Sequence, residues 1–172
     1  ATTIKTAAAD LSDLCASDDD TAARAIFLFA GEGAHAAGLD LSVLKTSPSW
    51  PTIDQCLLEQ HGVSADAFLA AHLGDHSAPS SPVVTTILNI LQADLWKHWG
   101  HQPSYALGHS IGELGAAYVC GMLDVQMALR IAYENGVVAG SLSGSMIHTT
   151  LPTSQLPQLP SKELHLSAIN HG

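Results

Sequence analysis

The sequence predicts an α/β fold from three features. Ala25 to Ala30 is a compact apolar run stopped by Gly31, which reads as a buried strand followed by a loop. Val83, Ile87, Ile90, Leu91, Leu95 and Trp99 recur at helical spacing. Tyr105-Ala106-Leu107 is a short strand candidate that runs straight into Gly108-His109-Ser110-Ile111-Gly112 and then into a helix of small residues.

Taken in order, residues 1–23 are Ala-, Thr- and Asp-rich with the acidic run Asp18 to Asp20, and they read as a solvated linker. The first strand spans Ala25 to Ala30, and Gly31-Glu32-Gly33 is the loop after it. Residues 39–72 read as short helices punctuated by Pro48, Pro51 and Gly62, and Gly74 to Pro82 as a loop rich in Ser, Pro and His. The helix from Val83 ends at Trp99, before Pro103. Ile111 to Cys120 is the next helix, and Asp124 is placed to cap another that reaches Val138. Beyond Gly144, Met146 to Leu151 and Leu164 to Ile169 read as strands. Pro152, Pro157 and Pro160 break any helix between them.

Composition excludes several classes of function. Of the 172 residues, 47% are hydrophobic and 13% charged, which fits one packed core rather than disorder. The net charge of −10, from 6 basic and 16 acidic residues, sets the chain against nucleic acid and anionic lipid. Cys15, Cys56 and Cys120 form no close pairing pattern and read as free thiols in a reducing compartment, so a cytoplasmic location is expected. No apolar run approaches a membrane span. The first residue is Ala1, which reads as a segment of something larger.

The chemistry concentrates at Ser110. In a nucleophile elbow a serine occupies a tight, strained turn between strand and helix, which lifts its oxygen clear of the sheet. Flanking glycines leave room for neighbouring backbone. The helix N-terminus behind the serine adds positive potential where an oxyanion develops, and the N–H of the following residue, Ile111, supplies one donor to it.

Further along, "GHSIGELGAAYVCGMLDVQMALRIA" resembles the GHSxGE segment of malonyl and acyl transferases. "FLFAGEGAHAAGL" resembles that family's Phe-x-Phe-Pro-Gly-Gln-Gly-x-Gln-x-x-Gly-Met strand and loop, and "LWKHWGHQPSYALGHS" its approach to the elbow. "GSMIHTTLP" and "LHLSAINHG" resemble its small subdomain, so the likeness runs from about Ala25 to the end. It implies the acyltransferase domain of polyketide and fatty-acid synthases. The implied fold is an α/β-hydrolase-like large subdomain, with a parallel-rich sheet and flanking helices, over 24–144. The start of a ferredoxin-like small subdomain follows over 145–172.

The resemblance also implies roles. Ser110 would take the acyl group from a CoA thioester, the backbone N–H groups of Ile111 and Glu32 would bind the oxyanion, and Gly31, Gly33, His109 and Asn135 would line the substrate site. The acyl group would pass to the phosphopantetheine thiol of an acyl carrier protein. No cofactor or metal is implied; acyl-CoA is a substrate. The expected partners are the carrier protein and either flanking synthase domains or the remaining half of the domain, with no nucleic acid and no membrane.

Three departures bear on function. The family's Gly-Gln-Gly is here Gly31-Glu32-Gly33, which places a carboxylate near the expected oxyanion. The Arg-Gly pair of malonyl-specific members falls on Asn135-Gly136, so the forked cation that holds a malonyl carboxylate is missing and a non-carboxylated acyl group is expected. The family's catalytic histidine would lie beyond residue 172. An acyl hydrolase of the same fold, an ordinary α/β-hydrolase esterase and a non-catalytic remnant serving as scaffold are the alternatives.

Other residues take plainer readings. On a sharp elbow adjacent side chains point apart, so His109 lines the pocket rather than acting as base. His72 and His76 are spaced like metal ligands on a helix, but Gly74 interrupts them and no third ligand follows, so they read as solvated loop. Glu113 caps or braces the elbow, Arg130 is a surface arginine, Trp96 and Trp99 are core, and Cys120 is a packed small residue.

Overall fold

The computed structural model describes residues 25–35, 37–77, 79–144 and 150. The chain divides into two units, Ala1–Leu142 and Ser143–Gly172, and every element below belongs to the first. The linker expected over 1–23 lies outside the described residues. So do, Thr150 apart, the strands expected at 146–151 and 164–169 and the small subdomain expected at 145–172.

Strand β1 (Ala25–Phe29) pairs in parallel with β2 (Pro103–Gly108), with Ile26 opposite Tyr105 and Phe29 opposite Gly108. Between them run a 3-10 turn (Leu44–Thr46) and helices α1 (Trp50–His61), α2 (Ala65–His72) and α3 (Ser80–His98). A 3-10 turn over Ser110–Gly112 follows β2, then α4 (Glu113–Val119) and α5 (Val125–Ser141). This is the α/β arrangement the sequence predicts, with parallel strands and flanking helices.

Local chemistry sets the helix ends. Pro51 stands in the first turn of α1, where its missing N–H costs no bond, and Gly62 closes that helix at φ 71°. Ser64 Oγ accepts from the Ala67 N–H at 3.2 Å to start α2. Asp124 Oδ1 accepts from the Met127 N–H at 2.7 Å and caps α5 as expected. Helix α3 starts at Ser80 rather than Val83, because Pro82 falls in its first turn, where proline is tolerated.

The core is mainly helix against helix. Ile53 and Leu57 of α1, Leu69 of α2, Val84, Ile87 and Leu91 of α3, and Leu129 of α5 are all fully buried in it. Trp96 and Trp99 are not core: they are 48% and 52% exposed and meet edge to face at 5.6 Å, Trp96 lining an open groove beside β1. Cys120 is likewise exposed, because α4 ends at Val119 and the chain turns away.

The strands are half-buried rather than buried. Phe29 faces the helices at 7% exposure, whereas Ile26, Leu28, Tyr105 and Leu107 share the opposite face of the sheet and all stay exposed, Leu28 at 75%. A parallel sheet is ordinarily covered on both faces. Among the described residues this one is covered on one.

Helix α4 is tied to α3 by a polar clamp. The Tyr118 hydroxyl donates to Asp94 Oδ2 at 2.6 Å, and Lys97 Nζ lies 3.4 Å from Asp94 Oδ1 and over the Tyr118 ring. Burial, and then the hydrogen bond to Asp94, push the Tyr118 hydroxyl well above the usual tyrosine range. Tyr118→Phe is expected to cost about 1–3 kcal/mol in urea unfolding, the scale of a hydrogen bond to a charged acceptor. A loss below about 0.5 kcal/mol would show that the clamp contributes nothing beyond ordinary surface scatter.

Candidate active site

Ser110 is the one non-glycine residue with positive φ, at 54°, among the described residues. An L-residue in the left-handed region is strained by its own Cβ. The strain is held by contacts on both sides. The His109 N–H donates to the Phe29 carbonyl at 3.0 Å, continuing the strand ladder to the residue before the serine. The Gly112 N–H then donates to the His109 carbonyl at 2.9 Å and closes the 3-10 turn. A Cβ on Gly112 would run into the carbonyl oxygens of Phe29 and Ala30, so no other residue fits there without moving β1.

The loop after β1 is brought onto this elbow. A Cβ on Gly31 would stand 2.8 Å from His109 Nδ1 and 3.3 Å from Ser110 Cβ. Ser110, His109 and Glu32 all have exposed side chains, and Ile111 is buried beneath the turn. The N–H groups of Glu32 and Ile111 donate to no protein group among the described residues. The arrangement offers a raised hydroxyl with two free backbone donors from neighbouring loops.

The loop is anchored at both ends by residues the sequence reading passed over. Asn89, buried in the apolar face of α3, donates from Nδ2 to the Ala30 carbonyl at 3.1 Å. The signal for it was an asparagine at a core position, since a buried amide needs a partner. At the other end His35 is 5% exposed, and its Nδ1 accepts from the Gly74 N–H at 3.1 Å. Its ring lies 4.8 Å from that of His76. Burial, and then the neighbouring His76, hold the His35 ring below the usual histidine range, while Asp75 and Glu32 pull it back up.

The remaining expected site residues fall as follows. Gly33 takes φ 84° in the loop. Asn135 is exposed on α5, and among the described residues no side-chain hydrogen bond joins it to the elbow. None joins the His109 ring to Ser110 Oγ either. Glu113 opens α4 with an exposed side chain and braces the elbow by its backbone, packed against Gly108. Arg130 lies on the surface of α5 as expected. His72 ends α2, with Nδ1 3.8 Å from Asp75, and His76 lies past it against His35. No group of three metal-ligating side chains forms among the described residues. No helix among them is long and apolar enough to cross a membrane.

The backbone strain is testable on this chain. Ser110→Gly relieves the left-handed conformation, whereas Ser110→Ala retains it. The glycine variant is therefore expected to be more stable than the alanine variant by roughly 0.5–1.5 kcal/mol in urea unfolding. Equal stabilities would mean that the turn carries no strain at this position.

The family model for the acyl transferase domain matches residues 26–159. A hybrid PKS-NRPS synthetase of Aspergillus terreus (strain NIH 2624 / FGSC A1156), pytA, is 36% identical over 134 residues, which are 71% of this chain and 20% of that protein. The malonyl-CoA:ACP transacylase of Synechocystis sp. PCC 6803 superposes with a TM-score of 0.63 at 27% identity, over 79% of this chain and 47% of that one. The fold alone is shared with a malonyl-transacylase solved in complex with its type II PKS acyl-carrier protein (TM-score 0.53, 21% identity, 67% of this chain and 38% of that one). The chain thus spans less than half of these solved relatives and a fifth of the synthetase. It belongs to the acyl transferase domain family of the polyketide- and fatty-acid-synthase kind.

Proposed function

We propose that the chain carries the nucleophile half of an acyltransferase that moves an acyl group from CoA to an acyl carrier protein. The observation that carries this reading is the strained, exposed Ser110 at the end of β2, with Gly31 seated against it. Ser110 Oγ attacks the thioester carbonyl and passes its proton to a base. The oxyanion is held by the N–H groups of Ile111 and Glu32, the C–S bond breaks, and the CoA thiolate leaves with the proton. The thiol of the phosphopantetheine arm then attacks the acyl-Ser110 ester, its proton going to the base and on to the serine oxygen as that ester breaks. The base, in this reading, is the family's catalytic histidine, which the resemblance puts beyond residue 172.

The exposed side chain of Glu32 supports a role for its backbone alone, with the carboxylate left in water. Residues 24–144 are, in this reading, the N-terminal part of the large subdomain, and 145–172 begin the small one. The uncovered sheet face of Ile26, Leu28, Tyr105 and Leu107 is where the rest of the domain would pack. The carrier partner is supported by the similar transacylase solved with its own carrier protein. A cytoplasmic setting fits the free thiols of Cys56 and Cys120.

Loading tests the nucleophile. The chain completed to the length of its solved relatives and mixed with a panel of acyl-CoAs is expected to gain one acyl mass on intact-mass measurement, and to lose that gain in Ser110→Ala. Loading that persists in the variant overturns the assignment. Release of free acid in place of transfer to a carrier thiol would identify a hydrolase.

Selectivity tests Asn135. A malonyl carboxylate leaving water needs a forked cation, and an amide does not supply one. Acetyl or longer saturated groups are expected to load faster than malonyl in competition. Asn135→Arg is expected to shift the ratio toward malonyl by about ten- to a hundredfold, the equivalent of about 1–3 kcal/mol. A domain that already prefers malonyl would show that position 135 does not select the acyl group.

A further inference from the structure

We propose that His35 is a positioning residue for the Gly31–Gly33 loop, holding it against the elbow as a neutral imidazole and releasing it when the ring is protonated. The inference rests on the reading above only in taking the Glu32 N–H as an oxyanion donor; the tether itself is independent of it.

The geometry is a segment pinned at two points. Ala30 is held by Asn89, and His35 by the turn at Gly74, so Gly31, Glu32, Gly33 and Ala34 span the gap between two side-chain anchors. The second anchor admits little variation. Gly74 has φ 81°, and a Cβ there would stand 2.7 Å from both N and Cβ of Ala37, so the chain just after His35 is pressed directly onto the turn. The hydrogen bond therefore fixes where the loop ends.

The bond also fixes the protonation state. Nδ1 accepts from the Gly74 N–H, so the ring proton is on Nε2. That Nε2 is buried with no partner among the described residues. Adding a proton converts Nδ1 from acceptor to donor. Two N–H groups then face each other at 3.1 Å, and a buried cation stands beside the His76 ring. The groups facing it are His76, Asp75 and Glu32, with His72 acting on Asp75 from the end of α2. The carboxylates of Asp75 and Glu32 favour the cation, but burial and His76 prevail, and the folded chain binds this proton less readily than the unfolded one. The tether is thus intact above the ordinary histidine value of 6.5 and is lost as pH falls below it. A glutamine at 35, the residue in the family pattern, can accept the same bond and has no proton to gain.

The test follows backbone amides of the ¹⁵N-labelled 172-residue chain by NMR from pH 8 to 5. The Gly74 and Glu32 amides are expected to shift together, with one midpoint below 6.5 that matches the His35 ring. In His35→Gln this shared shift is expected to vanish. In His76→Asn, which keeps His35 and removes the neighbouring ring that holds it down, the midpoint is expected to rise. The proposal is overturned if the two amides titrate apart, if the shift survives His35→Gln, or if His76→Asn abolishes it. Loss of Ser110 loading with the amide titration intact would sink the nucleophile reading and leave the tether standing.

Discussion

The end of β1 and the turn after Ser110 meet backbone to backbone, with no side chain between them. Gly112 lies against the carbonyls of Phe29 and Ala30, and Gly108 lies against the start of α4. This closeness makes the elbow sharp. It lets the His109 N–H reach the Phe29 carbonyl, and it leaves Ser110 in a backbone conformation that an L-residue otherwise avoids. The helices exist around it as support. Helix α3 carries Asn89 beneath the Ala30 carbonyl, and the Tyr118–Asp94–Lys97 clamp keeps α4 in line behind the serine.

What was legible in the sequence was what the local backbone demands. The Gly-x-Ser-x-Gly turn and the cap at Asp124 are each decided within a few residues and stand where they were expected, and β1 stops at Phe29, one residue short of the expected Ala30. Periodicity placed α3 but misjudged its tryptophans, because spacing identifies a face and cannot tell whether anything covers it. The strands read as buried because apolar runs ordinarily are, yet only one face of this sheet is covered among the described residues.

His35 was invisible for a different reason. Its partner in the hydrogen bond is 39 residues away and is a backbone N–H, which no side-chain pattern advertises. The only trace was that it occupies the second glutamine position of the family's loop. His72 and His76, by contrast, drew notice by their spacing and turned out to be separated by the end of α2. Histidine is informative here through burial and tautomer, neither of which is written in spacing.

The parallel pairing of β1 with β2 has a consequence for how the molecule comes to be. The two strands are about eighty residues apart along the chain, and parallel pairing over such a separation is intrinsically slow to form. The elbow is strained only once that ladder is zipped, because the Phe29 carbonyl is one of its two abutments. A chain locally opened at this edge would lose the bond from the His109 N–H to the Phe29 carbonyl that holds the residue before the serine. The left-handed backbone of Ser110 is thereby made to depend on a contact formed across about eighty residues of chain.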